Sequence, residues 1–450
     1  MPTFYLTTLG CPKNAVDSEK LAASLLADGV EATDAIEDAD LVVLNTCAFV
    51  EAARQESIDT ALALADARRP GARLVLTGCM AERYGQELAE ALPEADAVVG
   101  FAGEASLAPM FFAEASAEVA VAAPKRKPVG VADLLDLPRR APRHPWAYLK
   151  VAEGCDRTCA FCAIPHFRGK QVSRSPENVE SEAASLVEQG VVELVLVAQD
   201  VASYGRDVGA AGSLAPLMRR LDRLGDQGLA RQRLLYLYPS EVRGDLLDTM
   251  CELETTVPYF DFSLQHASGP LIRRMKRWGS GEKFLAMIEA IRSRRPEAAF
   301  RSSFIVGFPG ETEDDHDRLL AFLEEAELDW GGFFAFSRED ATAAAAMADE
   351  IGAPSADLVS QRISELTAVQ DRITQARRHD LVGATVDVLV DEVSRERAVG
   401  RTHREAPEID GVVEMAPDPR LTPGVIVPAV VTAVTGPDVE AAPVPRARAS

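Results

Sequence analysis

Three closely spaced cysteines are the residues of this chain best suited to chemistry. Cys155, Cys159 and Cys162 form the pattern Cys-x3-Cys-x2-Cys. Three thiolates on one short loop can hold three corners of a 4Fe–4S cube and leave its fourth iron without a protein ligand. An open metal position is where a small molecule binds and reacts, whereas a cluster that only carries electrons normally has four cysteine ligands. The spacing therefore favours an iron–sulfur cluster with a chemical role.

Two other roles for these cysteines fit the sequence less well. A structural zinc site needs a fourth Cys or His at a matched spacing, and we assign no role to nearby His166. A disulfide is disfavoured because nothing in the sequence marks the chain as secreted. The preferred interpretation remains an iron–sulfur site.

Three further cysteines follow three separate strand candidates near the N-terminus. Cys11, Cys47 and Cys79 each come just beyond the end of a short apolar run. The runs are Phe4–Leu9, Leu41–Leu44 and Leu74–Leu76. The carboxyl ends of parallel strands meet at one edge of a sheet, so the three thiols would lie together. Gly10 and Gly78 precede two of them, which suits backbone close to a bulky group. We predict a second three-thiolate cluster, with three separately buried thiols as the alternative.

Composition limits the class of protein. The chain has 450 residues, 47% hydrophobic and 26% charged, which is ordinary for several globular domains. Its 70 acidic and 47 basic residues give a net charge of −23, which disfavours binding to a phosphate backbone and suits a basic protein partner, with plain solubility as the alternative. The N-terminus resembles no secretory signal, and no run approaches the ~18 apolar residues that cross a bilayer. We expect a cytoplasmic protein that does not engage membranes.

The pattern of strand and helix signals divides the chain into segments. Residues 1–120 alternate strand and amphipathic helix signals, as in an open parallel α/β sheet. Residues 121–145 are rich in proline and basic groups, and we interpret them as a solvated linker. Residues 146–380 contain six strand candidates joined by helical stretches, which predicts a partial (β/α)6 barrel with one accessible side. These candidates are Trp146–Ala152, Glu193–Ala198, Arg233–Tyr238, Tyr259–Leu264, Phe300–Val306 and Gly331–Phe336.

The C-terminal part of the chain has mainly strand signals instead of alternating strand and helix signals. Residues 381–436 are β-rich and predict a small OB-like β-barrel. Its strand candidates are Thr385–Val393, Gly411–Met415 and Val425–Thr435. Residues 437–450 are rich in proline and alanine, and we predict that they are a disordered tail.

The Cys155–Cys162 loop, with Phe161 before its last cysteine, resembles the radical S-adenosylmethionine (radical SAM) superfamily. The segment Ser303–Glu311 is similar to the one that packs beside the adenine in that family. The resemblance implies that S-adenosylmethionine binds the open iron and that its reduction gives a 5′-deoxyadenosyl radical. The residues predicted to line the cofactor pocket are Phe161, Gln199, Gly307 and Pro309. For Gln199, at a strand end, capping of the next turn is the alternative.

Three features narrow the resemblance to the methylthiotransferases of that superfamily. They are the paired three-cysteine sets, the run Ile164-Pro165-x-x-Arg168-Gly169 and a terminal small barrel of TRAM type. The opening Gly10–Glu19 is similar to the RimO branch, which modifies an aspartate of ribosomal small-subunit protein twelve; tRNA-modifying members usually carry Gln-Met-Asn after the first cysteine. Ser337–Asp340 and Gly400–Gly411 are similar to the same branch.

This resemblance implies an enzyme that uses S-adenosylmethionine twice. One molecule would donate a methyl group to sulfur held at an auxiliary 4Fe–4S cluster on Cys11, Cys47 and Cys79. The other would be the radical source at the second 4Fe–4S cluster, and the product would be an aspartate methylthiolated at its β-carbon. An electron donor such as flavodoxin or ferredoxin is implied, and the sulfur source is left open. The alternative is a tRNA adenosine methylthiotransferase (MiaB-like); a non-catalytic iron–sulfur or RNA-binding module is less favoured.

The charge of the C-terminal segment agrees with a protein substrate. Gly383–Gly436 contains nine acidic and five basic residues. Such a barrel is poorly suited to tRNA phosphates and well suited to a ribosomal protein rich in Lys and Arg. A barrel that only caps the enzyme is the alternative.

Two polar residues end another strand candidate. Gln265 and His266 are predicted to contact substrate, with simple satisfaction of the backbone as the alternative for His266. The seventh cysteine, Cys251, lies on a helical stretch and is predicted to pack in the core.

Overall fold

The computed structural model describes residues 1–104, 106–112, 135, 137–210 and 212–444. Most of the predicted linker, residues 121–134 and 136, and the last residues of the predicted tail, 445–450, lie outside these ranges. No helix in the described ranges has both the length and the apolar character that crossing a membrane requires.

The N-terminal domain is an open sheet of five parallel strands, as predicted. Its strands are β1 (Thr3–Thr8), β2 (Glu31–Ala32), β3 (Leu41–Thr46), β4 (Arg73–Gly78) and β5 (Ala97–Val98). They lie in the order β2-β1-β3-β4-β5. Every residue of β3 is buried, which explains why its sequence is apolar without alternation. The helices of this domain are α1 (Pro12–Ala27), α2 (Glu51–Ala67), α3 (Cys79–Ala91), α4 (Phe101–Glu104) and α5 (Leu107–Phe112).

The central domain is the predicted incomplete barrel of six parallel strands. A short antiparallel pair, β7 (Ala152–Glu153) and β8 (Val172–Ser173), lies beside it. The six strands are β6 (Trp146–Lys150), β9 (Glu193–Val197), β10 (Arg231–Leu234), β11 (Tyr259–Gln265), β12 (Ala299–Val306) and β13 (Trp330–Ala335). They form two three-stranded sheets, β6-β9-β10 and β11-β12-β13. Single parallel bridges from Gln232 to Thr256 and from Leu237 to Phe262 join β10 to β11.

Helices follow the strands, and most of them cover the outside of this barrel, whereas the short α6 packs against α3 of the N-terminal domain. They are α6 (Ile164–Phe167), α7 (Pro176–Glu188), α8 (Leu214–Asp222), α9 (Asp245–Glu252), α10 (Gly269–Arg274), α11 (Gly281–Arg294), α12 (Glu313–Ala326), α13 (Ala343–Ile351) and α14 (Ala356–His379). Apolar strand residues such as Leu149 and Leu196 pack against these helices in one large core. The alternate strand residues face the barrel interior.

The C-terminal domain is a closed five-stranded barrel. It extends into residues that were predicted to be a disordered tail. Its strands are β14 (Thr385–Val393), β15 (Ala398–Arg401), β16 (Val413–Met415), β17 (Ile426–Thr435) and β18 (Asp438–Pro443). Prediction of disorder from residue 437 was wrong for β18. Its alternate residues Val439 and Ala441 are buried, and the strand closes the barrel between β16 and β17. Proline and alanine content masked this alternation.

A loop of the C-terminal domain closes the amino-terminal end of the six-stranded barrel. Within residues 402–410, the Arg404 carbonyl accepts from Trp330 Nε1 at 2.7 Å and the Asp410 carboxylate accepts from the Tyr259 hydroxyl at 2.6 Å. Ala406 is buried in one cluster with interior strand residues. The segment Gly400–Gly411, noted for its resemblance, therefore anchors one domain in another.

A buried carboxylate, Glu193 at the start of β9, anchors this junction. It is fully buried and pairs with Arg233 at 2.7 Å and with Arg401 of the C-terminal domain at 2.8 Å. Burial opposes ionisation, but the charges of Arg401 and Arg233 lower the pKa of Glu193 to about 2. The two domains are therefore joined through a buried charge cluster.

One residue of the predicted linker is not solvated. The side chain of Arg139 is 5% exposed, and it pairs with Glu182 at 3.1 Å and with Glu19 of α1. Its position in an ion-pair network between the N-terminal and central domains explains its burial. The prediction of a solvated basic connector was wrong at this position.

Candidate iron–sulfur and cofactor site

The Cys155–Cys162 loop begins directly after β7, where a glycine is required. Gly154 has φ +73, and a Cβ there would lie 2.1 Å from the Lys170 carbonyl oxygen. The Cys155 N–H donates to the Gly169 carbonyl at 3.2 Å, so the start of the loop is held against the backbone of Gly169 and Lys170. All three cysteines are free thiols.

Two arginines and a tyrosine surround this loop. Arg277 Nη1 donates to Cys159 Sγ at 3.3 Å. The Tyr238 ring lies between two guanidinium groups, with Arg157 3.8 Å and Arg277 4.2 Å from its centre. Arg157 is fixed by Asp200 at 2.7 Å. Burial raises the pKa of Cys155 to about 11 and that of Cys162 to about 12, and the positive charges of Arg157 and Arg277 partly offset this effect.

The three N-terminal cysteines lie at one edge of the first sheet, as predicted from the strand ends. Gly10 lies so close to Cys47 that a Cβ there would be 2.8 Å from the Cys47 sulfur. Cys79 begins α3, directly after Gly78, whose φ is +87. Burial raises the pKa of Cys79 to about 12, and the nearby thiols of Cys11 and Cys47 add to this effect. The three sulfurs are therefore close enough to influence one another.

Arg168 connects the two cysteine sets. It follows α6, and its Nη2 lies 3.0 Å from Cys79 Sγ and 2.5 Å from Asn14 Oδ1. Its Nη1 pairs with Asp17 of α1 at 3.1 Å and with Glu153, two residues before Cys155, at 2.8 Å. One buried guanidinium thus contacts a cysteine of the first domain and the start of the other cysteine loop.

The side chains present fit two 4Fe–4S clusters. Each set consists of three free thiols, and thiolates are the soft ligands that iron–sulfur clusters select. No three His, Cys, Asp or Glu residues of the described ranges converge on a single ion. A cube does not require this, because each thiolate binds a different iron. Cys11, Cys47 and Cys79 would hold one cluster, and Cys155, Cys159 and Cys162 the other.

The residues predicted for the S-adenosylmethionine pocket are near the second set or in the adjacent core. Phe161 packs with Phe308 in a small apolar cluster beside the cysteine loop. Gln199 follows β9, and its Nε2 donates to Glu153. Gly307 and Pro309 form the turn after β12; a Cβ on Gly307 would lie 2.4 Å from Val359 Cγ2, so close packing explains this glycine. Their contacts with the cofactor stay predictions.

The two predicted substrate contacts have different environments. Gln265 ends β11 in a half-buried position with φ +74. His266 is 1% exposed, and its Nδ1 accepts from the Ser268 N–H at 3.0 Å. Burial lowers the pKa of His266 to about 4, so the ring is neutral. The ring therefore supports the backbone through Nδ1, while its Nε2 has no hydrogen-bond partner among the described residues, and a substrate contact of His266 stays a prediction.

Several residues around the site were not predicted. They are Lys13, Asn14, Arg157, Tyr236, Tyr238 and Arg277, together with the role of Arg168. Lys13, Asn14 and Arg168 lie within the sequence runs that resemble the family. Their presence in those runs could have marked them as site residues, but it did not indicate what each of them does. Tyr236 and Tyr238 reach the site through the course of the chain after β10, which local sequence does not reveal.

A buried carboxyl group of the first domain gives a pH prediction. Glu104 is 1% exposed and accepts from Thr77 Oγ1 at 2.6 Å. Burial, with the charge of Asp17, raises the pKa of Glu104 to about 8. The folded state therefore holds this proton more tightly than the unfolded chain, and stability falls as pH rises from about 4.5 to about 8.

We expect Glu104→Gln to remove this dependence. As the pH is raised from about 5 to about 9, the free energy of unfolding of the wild type should fall relative to that of the variant. Urea denaturation at each pH measures both values. Exposed Glu87→Gln is the control and should follow the wild type. A constant difference between Glu104→Gln and the wild type would contradict the assignment.

Models of three families match successive parts of the chain. They are the Uncharacterized protein family UPF0004 at residues 3–100, the Radical SAM superfamily at residues 149–323 and the TRAM domain at residues 382–444. Among solved structures, a radical S-adenosylmethionine methyltransferase, TsrM, from Kitasatospora setae, with cobalamin and a 4Fe–4S cluster bound, matches with a TM-score of 0.54. That match has 16% identity and covers 75% of this chain and 73% of that chain. At this identity it supports the fold alone.

Curated relatives match almost the whole chain. The ribosomal protein uS12 methylthiotransferase RimO of Cutibacterium acnes is 41% identical, over 98% of this chain and 98% of its own. The protein of the same name from Kineococcus radiotolerans is 42% identical, over 98% of this chain and 97% of its own. With the paired three-cysteine sets and the three-domain order described above, these matches decide the family. The chain belongs to the RimO family of radical SAM methylthiotransferases.

Proposed function

We propose that this chain transfers a methylthio group to the β-carbon of an aspartate of ribosomal protein uS12. The observation that carries the proposal is the position of Arg168, whose guanidinium lies 3.0 Å from Cys79 and 2.8 Å from Glu153. Cys79 and the residue two positions before Cys155 thus meet at one buried guanidinium, which supports a shared site for the two cysteine sets. A substrate carbon can then be activated at one set and receive sulfur from the other without crossing open solvent.

The chain's own residues hold and shield the reacting groups. When bound, the two clusters and S-adenosylmethionine supply the radical that removes hydrogen and the methylated sulfur that replaces it. Arg277 and Arg168 contribute positive charge beside Cys159 and Cys79 respectively. The domain junction at Glu339, which accepts from Arg54 at 2.7 Å and from Arg83 at 2.6 Å, holds the first domain over the barrel.

The C-terminal barrel supports a basic protein partner over tRNA. Two of its acidic residues counted above, Glu405 and Asp410, are buried and bind within the protein, so they add nothing to the surface charge. Other acidic side chains remain exposed, namely Asp387, Glu392, Glu396 and Glu440. Exposed acidic groups repel phosphates and attract Lys-rich and Arg-rich surfaces. The names of the relatives favour uS12 in the same way.

The proposal includes a reductant and a compartment. Cleavage of S-adenosylmethionine needs one electron, so we propose a low-potential donor of the flavodoxin or ferredoxin class. A ribosomal substrate places the reaction in the cytoplasm. The cytoplasm is a reducing compartment and contains ribosomal proteins. Unpaired cysteines are typical of proteins in such a compartment.

Mass spectrometry of both candidate substrates tests the proposal. The reconstituted protein is incubated without oxygen with S-adenosylmethionine and a chemical reductant, in parallel with uS12 and with total tRNA. We expect the mass gain of one methylthio group on the target aspartate of uS12 and unchanged tRNA nucleosides. Modified adenosine with unmodified uS12 would establish the MiaB-like alternative instead.

Single cysteine replacements should separate the two cluster roles. Cys79→Ala should lose about half of the bound iron and all methylthiolation but still cleave S-adenosylmethionine, whereas Cys155→Ala should lose the cleavage as well. The measurements are iron content and 5′-deoxyadenosine release. Cys251→Ala, a buried thiol of α9 far along the chain from both sets, is the control and should retain both activities. Full product from Cys79→Ala would exclude an auxiliary cluster.

A further inference from the structure

Lys13 is a buried lysine beside the first cysteine set, at the carboxyl end of the central barrel. It lies in the first turn of α1, two residues after Cys11, and is 8% exposed. Its Nζ lies 3.4 Å from the centre of the Tyr236 ring, which follows β10 at the carboxyl end of the barrel. The ammonium group is thus held over the barrel mouth by an aromatic face.

Tyr236 is fixed in a strained conformation that supports this position. Its φ is +62, a left-handed conformation that is strained for a side chain other than glycine. The Tyr236 N–H donates to Asp261 Oδ2 at 2.9 Å, which holds the backbone there. Strain that is kept by a specific hydrogen bond points to a required ring orientation.

Lys13 differs from the other buried cations of this region in having no carboxylate partner. Lys150 pairs with Asp17 at 2.5 Å, and Arg301 pairs with Asp261 at 3.1 Å. Arg168 pairs with Asp17 and Glu153. Within the described ranges, no carboxylate lies within ion-pair distance of the Lys13 ammonium. The anionic group near this ammonium is the Cys11 thiolate, which belongs to the first cysteine set. A buried ammonium without a carboxylate partner is costly, so a carboxylate brought by a substrate would complete the site.

We propose that Lys13 binds the side-chain carboxylate of the target aspartate, an inference that rests on the proposed function. The reacting β-carbon is one bond from that carboxylate, so an ion pair to Lys13 would fix the carbon beside the Cys11 set, at the carboxyl end of the barrel. It would also select aspartate over asparagine, because an amide offers no charge to the ammonium. The competing role is compensation for the anionic thiolates of the nearby set, starting with Cys11.

The test compares two forms of uS12, one with its target aspartate and one with asparagine there. Binding to the reconstituted enzyme is measured by fluorescence anisotropy, after wild-type methylthiolation of the aspartate form has been verified. We expect the wild type to bind the aspartate form about 10–100-fold more tightly than the asparagine form. Lys13→Met should bring the ratio near one, and Lys13→Arg should keep a preference. Lys170→Met, which removes an exposed lysine, is the matched control and should keep the wild-type ratio.

The outcomes separate the two proposals. Failure of the wild type to modify uS12 overturns the proposed function, and this inference with it. If the wild type modifies uS12 but binds its aspartate and asparagine forms equally, the proposed role of Lys13 is overturned and the proposed function stands. This outcome needs no variant. If Lys13→Met binds both forms of uS12 more weakly by the same factor and also loses iron, Lys13 compensates charge at the cluster. That result also overturns its role in binding the aspartate.

Discussion

Arg168→Met should lower the free energy of unfolding by about 3–5 kcal/mol, the usual cost of removing one partner of a buried ion pair. The side chain is 4% exposed and neutralises Asp17 and Glu153, both 3% exposed or less. Burial opposes ionisation of Glu153, but Arg168 and Lys150 lower its pKa to about 2, so its charge persists in the folded state. Urea denaturation of the protein without its clusters measures the loss directly.

The same substitution should impair the auxiliary cluster more than the other one. Arg168 donates to Cys79 and to none of the Cys155, Cys159 and Cys162 sulfurs within the residues that the structure describes. Iron content should fall by about half while S-adenosylmethionine cleavage is retained. Arg219→Met, which breaks an exposed pair with Asp245, is the matched control and should leave stability and iron unchanged. Wild-type stability of Arg168→Met would contradict the bridging role.

Glu193→Gln should destabilise the junction between the barrel and the C-terminal domain by about 3 kcal/mol or more. The substitution leaves Arg233 and Arg401, both 2% exposed or less, without this charge partner. Arg401 retains Asp391 at 2.6 Å, whereas Arg233 has no other carboxylate within ion-pair distance in the described ranges. Differential scanning calorimetry should show a separate, earlier transition for the C-terminal domain.

Limited proteolysis gives a second measurement of the same change. Cleavage near the end of α14, which leads into the C-terminal domain, should be faster in Glu193→Gln. Exposed Glu177→Gln carries the same substitution on α7 and should match the wild type. A single transition at the wild-type temperature would show that the domains dock without this charge cluster.

Local patterns in the sequence were enough to predict most of the longer strands and to group the cysteines into two sets of three. Apolar runs fixed β3 and β4, and cysteines at strand ends were placed together because parallel strands share one edge. The auxiliary set was predictable only as a group, since its spacing forms no local motif. The open sheet and the incomplete barrel followed from the same alternation of strands and helices.

The contacts between domains could not be predicted, because they depend on how distant segments meet. Arg168 and Asp17 are far apart in sequence, and nothing local indicates their ion pair. The Arg139 contacts and the pairing of β18 depend on the same long-range packing. Proline and alanine content pointed to disorder for β18, although the alternation of Val439 and Ala441 was visible in the sequence.

The C-terminal loop at the amino-terminal end of the six-stranded barrel limits the directions from which a substrate can enter. With Asp410 and Arg404 bound to Tyr259 and Trp330, a polypeptide has no exit through the amino-terminal end. A protein substrate is therefore expected to approach from the carboxyl end or from the open side of the barrel, and to leave by the same face.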